Sequence, residues 1–125
     1  MRYLSVEQIL LIHSMVLDES GGLHGVRHLN LLQSAAELPK QAAFGSELYP
    51  DAHTKAAVYA RSIIMNHPFV DGNKRTGMTT ALIFLADNGH EDLTKESEVE
   101  KFAVQIVKKR LTVEQIAAWL KKKTS

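Results

Sequence analysis

Apolar residues recur at helical spacing in six stretches of this chain, each bounded by residues that stop a helix. The first runs through Val6, Ile9, Leu10, His13, Val16 and Leu17. Ser5, with Gln8 three positions on, has the form of a capping box, and the stripe predicts a helix ending near Ser20. Gly21, Gly22 and Gly25 then open a loop to about His28, after which Leu29, Leu31, Leu32, Ala35 and Ala36 predict a short second helix closed by Pro39. Residues 39 to 50 keep neither a 3.6-residue period nor an alternation, and Gly45-Ser46 is their one hairpin-like signal, so an irregular flap is expected there. From Asp51 onward Ala56, Ala57, Ala60, Ile63, Ile64 and His67 share one stripe. Pro68 cannot continue a regular helix, so this third helix delivers His67 at its end.

Met78, Ala81, Leu82 and Leu85 resume the helical period, and Asn88-Gly89 is a good stop. Ile83, Phe84 and Ala86 make that helix apolar nearly all round, which predicts that it is the central, buried one. A polar run from His90 to Glu98 precedes a packing helix through Val99, Phe102, Ala103, Ile106 and Val107, ending near Arg110. Thr112 to Gln115 repeats the capping-box form, and Val113, Ile116, Ala117 and Leu120 give the last stripe before Lys121, Lys122 and Lys123, expected to be a solvated end. There is no internal repeat, low-complexity tract or linker. The expectation is an all-α fold, a single domain over residues 1–125, with about six helices and one irregular or β-hairpin insertion between the second and third.

Composition narrows the chemistry. A chain of 125 residues is long enough to bury one hydrophobic core without disulfide or metal staples, and 45% hydrophobic with 23% charged residues is not the make-up of a disordered or fibrous protein. The absence of cysteine excludes a thiol nucleophile, a thiolate metal site and a disulfide framework. A formal net charge of +1 argues against a nucleic-acid or membrane surface acting through bulk electrostatics, so any anion site must be local. No apolar run approaches a membrane span, and Met1 to Ser5 lead straight into a helical pattern without a leader, which makes the cytoplasm the default location.

The richest chemistry lies between residues 67 and 77, His-Pro-Phe-Val-Asp-Gly-Asn-Lys-Arg-Thr-Gly. A helix starting at Asn73 points unpaired backbone N–H groups back towards Gly72, and these donors with the helix dipole make a site for a phosphate oxygen. Gly72 lets an anion approach the bare backbone. Lys74 and Arg75 oppose the macrodipole in the first turn, a conflict that a bound anion would relieve. Arg75 can grip two phosphate oxygens through its planar fork while Lys74 acts as a point charge. Asp71 is a hard oxygen ligand suited to Mg2+, which is commonly held by one or two carboxylates together with substrate phosphates. His67 offers an imidazole able to take the proton of an attacking hydroxyl. Metal and cations on the phosphates with a base on the acceptor are what phosphoryl transfer asks of a protein.

Each residue also has a plainer reading. Asp71-Gly72-Asn73 alone could be a turn, Lys74-Arg75 a solvated helix face, and Phe69 is read as a core anchor. It is the ordered set that points to a site. Elsewhere, His24 and His28 flank Gly25 without a third ligand at useful spacing and are read as binding nothing specific. His13 is read as a satisfied, half-buried imidazole, Arg61 as a stem packed over its helix, and His53 and His90 carry no motif.

His-Pro-Phe-Val-Asp-Gly-Asn-Lys-Arg resembles the signature of the Fic/Doc family, whose common adenylyltransferase form is His-Pro-Phe-x-x-Gly-Asn-Gly-Arg-x-x-Arg. Lys74 stands where most members have Gly and Met78 where they have a second Arg, the pattern of the death-on-curing (Doc) toxin branch. The likeness extends from Gly21-Gly22-Leu23-x-Gly25 through Leu48-Tyr49-Pro50 to Asn88-Gly89. It implies an all-helical Fic bundle and a toxin with an antitoxin partner. In that branch ATP binds in reversed orientation, so that the γ-phosphoryl group passes to a threonine of elongation factor Tu and translation stops. By the same resemblance His67 is the base, Asp71 the metal ligand, Gly72 and Asn73 the anion cradle, Lys74 and Arg75 the phosphate contacts, and residues 39 to 50 the flap that holds the target. Self-restrained members carry Ser/Thr-x-x-x-Glu followed by Gly or Asn; no Glu here is so followed, which implies control by a separate antitoxin with a disordered tail that folds on binding. Adenylyl transfer, and a non-catalytic module that only holds a nucleotide or the antitoxin, are the competing readings.

Overall fold

A computed structural model describes residues 1–125. Six helices, α1 Val6–Ser20, α2 Leu29–Glu37, α3 Ala52–Asn66, α4 Asn73–Asp87, α5 Glu96–Lys108 and α6 Val113–Lys123, surround one core, with a short 3-10 turn, Leu38–Lys40, after α2. A two-stranded antiparallel hairpin, β1 Ala42–Ala43 and β2 Ser46–Glu47, stands between α2 and α3. The fold is therefore all-α with one small flap, as the hydrophobic pattern implies.

Local chemistry sets the helix ends. Ser5 and Thr112 each accept from the backbone N–H three residues on, while Gln8 and Gln115 reach back to the capping residue's own N–H, so both capping boxes form. Asp51 caps α3 by accepting from Thr54 N at 2.8 Å and from the Thr54 hydroxyl at 2.8 Å. Burial pushes the Asp51 carboxyl up, but those bonds from Thr54 outweigh it and hold the group below the usual carboxylate range.

The central helix is α3, not α4 as the run of apolar residues suggests. Ten of the residues of α3 are buried, including Lys55, Tyr59, Ile63 and Ile64, whereas on α4 Ile83 is only half-buried and Ala86 is exposed. Apolar composition does not say how many neighbours a helix has; α3 is wrapped by α2, α4 and α6. The α3 and α4 axes approach closely at Gly77, where a Cβ would fall 2.6 Å from Ile64 Cγ1 and 3.0 Å from the Ala60 carbonyl oxygen. That contact fixes the two helices whose facing ends carry residues 67 and 73.

At the C-terminal end Lys121 and Lys122 are exposed, as expected, but Lys123 to Ser125 are tied down. Leu93 N donates to Lys123 O and Ser125 N to Glu91 O, Lys123 pairs with Glu98, and Thr124 is buried. His53 contacts the Thr124 hydroxyl at 3.1 Å and stacks edge-on against His90 at 4.6 Å between ring centres. Arg61, expected to lie over the surface, instead donates from Nε to Leu111 O at 2.9 Å and ties α3 to the turn before α6.

The flap turns at Phe44-Gly45, one residue before the predicted position, with Ala42 opposite Glu47 and Ala43 opposite Ser46. Both turn residues have positive φ, 52° and 79°, the geometry that suits a two-residue hairpin. Its base is held from inside: Lys55, fully buried, donates to Pro39 O at 3.2 Å and to Glu47 Oε1 at 3.0 Å.

Candidate active site

His67 ends α3 in the left-handed conformation, φ 49° and ψ 58°, its N–H still bonded to Ile63 O. Histidine is among the residues that tolerate this region, and the following proline disfavours the right-handed alternative. The chain therefore leaves the helix abruptly with the imidazole exposed at the rim. Five residues later Gly72, at φ 78°, starts α4 with no side-chain cap. The backbone N–H groups of Asn73, Lys74 and Arg75 make no hydrogen bond within the chain. They are the free donors that the sequence predicts for an anion site.

The loop between these helices is strongly constrained. Asn73 is buried, and its side chain accepts from Phe69 N and donates to Phe69 O, both at 3.0 Å. The side chain of Asn73 thus clasps the loop, and only its backbone N–H is left unbonded. Phe69 is fully buried, the core anchor expected of it. The glycine loop after α1 lies alongside: Arg27 N and His28 N donate to Pro68 O, and Val70 N donates to Gly25 O at 3.0 Å. Gly22 is needed at φ 127°, because a Cβ there would sit 2.8 Å from Asp71 Oδ2.

Asp71 is exposed, and its two carboxylate oxygens accept one backbone hydrogen bond each, Oδ1 from Gly72 N at 2.9 Å and Oδ2 from Leu23 N at 3.2 Å. Each oxygen keeps a free lone pair. No group of three or more histidine or acidic side chains forms an all-protein metal cage. A single outward carboxylate beside unpaired N–H donors fits the mode in which Mg2+ is shared between protein and substrate phosphates.

The two cations differ. Lys74 is exposed and makes no ion pair, while Arg75 is half-buried and its guanidinium reaches Glu96 at 3.1 Å and also pairs with Glu100, both on α5. Lys74 and Arg75 border a groove of about 440 Å³ between α1, α4 and α5, with Met15, Val16, Val99 and Val104 among its lining. Neither His67 nor Asp71 lines it. Met78 also faces this groove but is fully buried and apolar, so no further cation stands one turn beyond Arg75.

The six residues singled out in the sequence, His67, Asp71, Gly72, Asn73, Lys74 and Arg75, all lie on the connection from α3 to α4, but their side chains divide: Lys74 and Arg75 border the groove, His67 and Asp71 lie outside it, and Asn73 is turned inward to Phe69. Two participants escape the sequence reading. His13, on α1, is more buried than expected and contacts the Asp71 carbonyl oxygen at 2.8 Å through Nε2. The Leu23 N–H is a backbone group and carries no residue signature. The signal for His13 was present: it is the one polar residue on the apolar stripe of α1.

A profile of the Fic/DOC family matches residues 3–85. The chain is 39% identical over 87 residues to "Toxin Doc" of Mycolicibacterium smegmatis, an alignment covering 70% of this chain and 65% of that protein. It is 32% identical over 89 residues to "Protein kinase doc" of Escherichia phage P1, covering 71% of this chain and 70% of that one. The chain spans about two thirds of the length of the curated relatives it matches. With the profile covering well over half of the sequence, and the loop joining α3 to α4 built as described, the chain belongs to the Fic/DOC family.

Proposed function

We propose that this chain is the toxin of a toxin–antitoxin pair and that it transfers the γ-phosphoryl group of ATP to a hydroxyl of a target protein. The observation that carries the reading is the junction itself: an imidazole, an outward carboxylate, three unpaired backbone donors and two cations, with apolar Met78 where a second arginine would serve adenylyl transfer. The names of the two relatives, a toxin and a protein kinase, support it.

In this reading the N–H groups of residues 73 to 75 and Lys74 bind phosphate oxygens, and Arg75 joins them when it leaves Glu96 and Glu100. Asp71 would hold Mg2+, which supplies charge neutralisation on the phosphates when bound. His67 takes the proton of the acceptor hydroxyl as its oxygen bonds to phosphorus and the bond to ADP breaks. The acceptor suggested by the Doc resemblance is a threonine of elongation factor Tu, with arrest of translation in the cytoplasm. The antitoxin partner is proposed to insert a segment, disordered when free, into the groove between α1, α4 and α5.

The test is transfer of label. With bacterial lysate and Mg2+, ATP labelled at the γ-phosphate is expected to mark one protein band, and ATP labelled at the α-phosphate none. Retention of α-label on protein would overturn phosphoryl transfer in favour of adenylyl transfer. Growth arrest that persists with His67→Ala would remove catalysis from the function altogether.

A further inference from the structure

His13 makes two contacts with the site loop. Its Nε2 lies 2.8 Å from the Asp71 carbonyl oxygen, and its ring stacks on Phe69 with centres 3.8 Å apart and planes within 5°. A carbonyl can only accept, so Nε2 carries the proton and donates. The imidazole is buried, and this carbonyl is the acceptor that satisfies its N–H.

The consequence follows from peptide geometry. In a planar trans peptide the C=O and the next N–H point in opposite directions. Drawing the Asp71 carbonyl towards α1 therefore turns the Gly72 N–H away from α1, and there it meets Asp71 Oδ1 at 2.9 Å. Leu23 N holds the other carboxylate oxygen at 3.2 Å. Gly72 does not itself select this orientation, because glycine accepts positive and negative φ alike and a flip of the 71–72 peptide leaves the chain path nearly unchanged. Flipped, the peptide would aim its carbonyl oxygen at the carboxylate, remove the donor from Oδ1, and leave the His13 N–H buried without a partner. Stranding that buried donor shifts the balance of the two orientations by a factor of roughly 10 to 100.

We propose that His13 is a positioning residue, a latch on the 71–72 peptide that keeps the Asp71 carboxylate outward at the start of α4. The inference rests on the reading of Asp71 as the residue that meets Mg2+ and nucleotide. An apolar residue at position 13 would pack on Phe69 equally well; it would not select a peptide orientation.

The experiment uses the full chain and two variants. His13→Phe keeps the stack and loses the donor, and His13→Gln offers an amide N–H near the place of Nε2. By isothermal titration the affinity for MgATP is expected to fall about tenfold in His13→Phe and to recover largely in His13→Gln. The Gly72 amide resonance in a 15N correlation spectrum is expected to move or broaden in His13→Phe alone. Unchanged MgATP affinity and an unchanged Gly72 resonance in a folded His13→Phe would reduce His13 to a packing residue. Should His13→Phe not fold, long-range 15N spectra of the parent decide: protonation at Nδ1 rather than Nε2 overturns the latch. A parent that transfers no phosphoryl group but shows these shifts defeats the proposed activity and leaves the latch standing.

Discussion

Residues 67 to 72 and residues 41 to 48 both lead out of or into α3, and both turn through positive φ, yet they are held in opposite ways. The first is bonded along its whole length: Pro68 to the glycine loop, Phe69 to the Asn73 side chain, Val70 to Gly25, and Asp71 to His13 and Leu23. The second is fastened only at its base, where Glu47 meets buried Lys55 and Leu48 N donates to Gln41 O, while Phe44 at its tip is fully exposed. The difference matches the proposed roles: a group proposed to meet a phosphate at hydrogen-bond distance needs a backbone with few alternatives, and a hairpin proposed to receive the target needs a firm hinge and a free end.

Breaking the rigid side at its chemistry should give the largest effect. His67→Ala is expected to lower phosphoryl transfer by at least about 100-fold with little change in thermal midpoint, since the imidazole is exposed and only its backbone is bonded inward. Measured transfer of γ-label and a melting curve check both halves. Breaking the same loop at its clasp should instead cost stability. Asn73→Ala leaves the Phe69 N–H and C=O unpaired in a buried place, and urea titration should register a loss of roughly 2 to 3 kcal/mol.

The flap's base comes next. Glu47→Ala leaves the Lys55 ammonium with only the Pro39 carbonyl and the Tyr3 ring, whose centre is 5.4 Å away. Glu47 is itself half open to water, so the expected loss is about 1 to 2 kcal/mol rather than that of a fully buried pair. Hydrogen exchange should quicken for residues 41 to 48 and stay slow for 67 to 72.

The same pair predicts an alkaline limb. Burial pushes Lys55 down, but the hydrogen bond to Glu47 and the neighbouring Tyr3 and Glu47 groups prevail, and the ammonium titrates above its ordinary value. A raised folded value means stability that is complete below the ordinary lysine range and lost as pH rises through the raised one. Tyr59, pushed up to about 12 by burial, loses its contribution in an overlapping window. The difference between the parent and Lys55→Met, melted at a series of pH values from about 9 to about 12, isolates the lysine. A parent curve parallel to that of Lys55→Met would remove the ion pair from the flap's hinge. The smallest expected effect is at the tip: Phe44→Ser should change stability by less than about 0.5 kcal/mol. A fall in target labelling with unchanged MgATP affinity in that variant would place the tip against the target.

Much of this was legible in order along the chain. The helical stripes, both capping boxes and the stop at Pro68 predict the elements that form, because capping and periodicity are interactions between residues three or four apart. The site loop was legible for a related reason: its groups lie within nine residues, so one turn presents them all. The rank of the helices was not. Met78, Leu82 and Ile83 read as the centre of the molecule, but only packing reveals that α3, with Lys55 inside it, has the neighbours.

What the sequence determined by itself is thus the set of helices, the family signature and which residues could carry chemistry, all properties of short stretches. Tertiary structure decided the rest: that Asn73 spends its side chain on Phe69, that Arg75 lies on Glu96 and Glu100, that Lys123 and Thr124 are fastened to α5 and α3, and that His13 holds a peptide 58 residues away. Those contacts join positions distant in the chain, and no local pattern encodes which buried donor will find which carbonyl until the helices are packed.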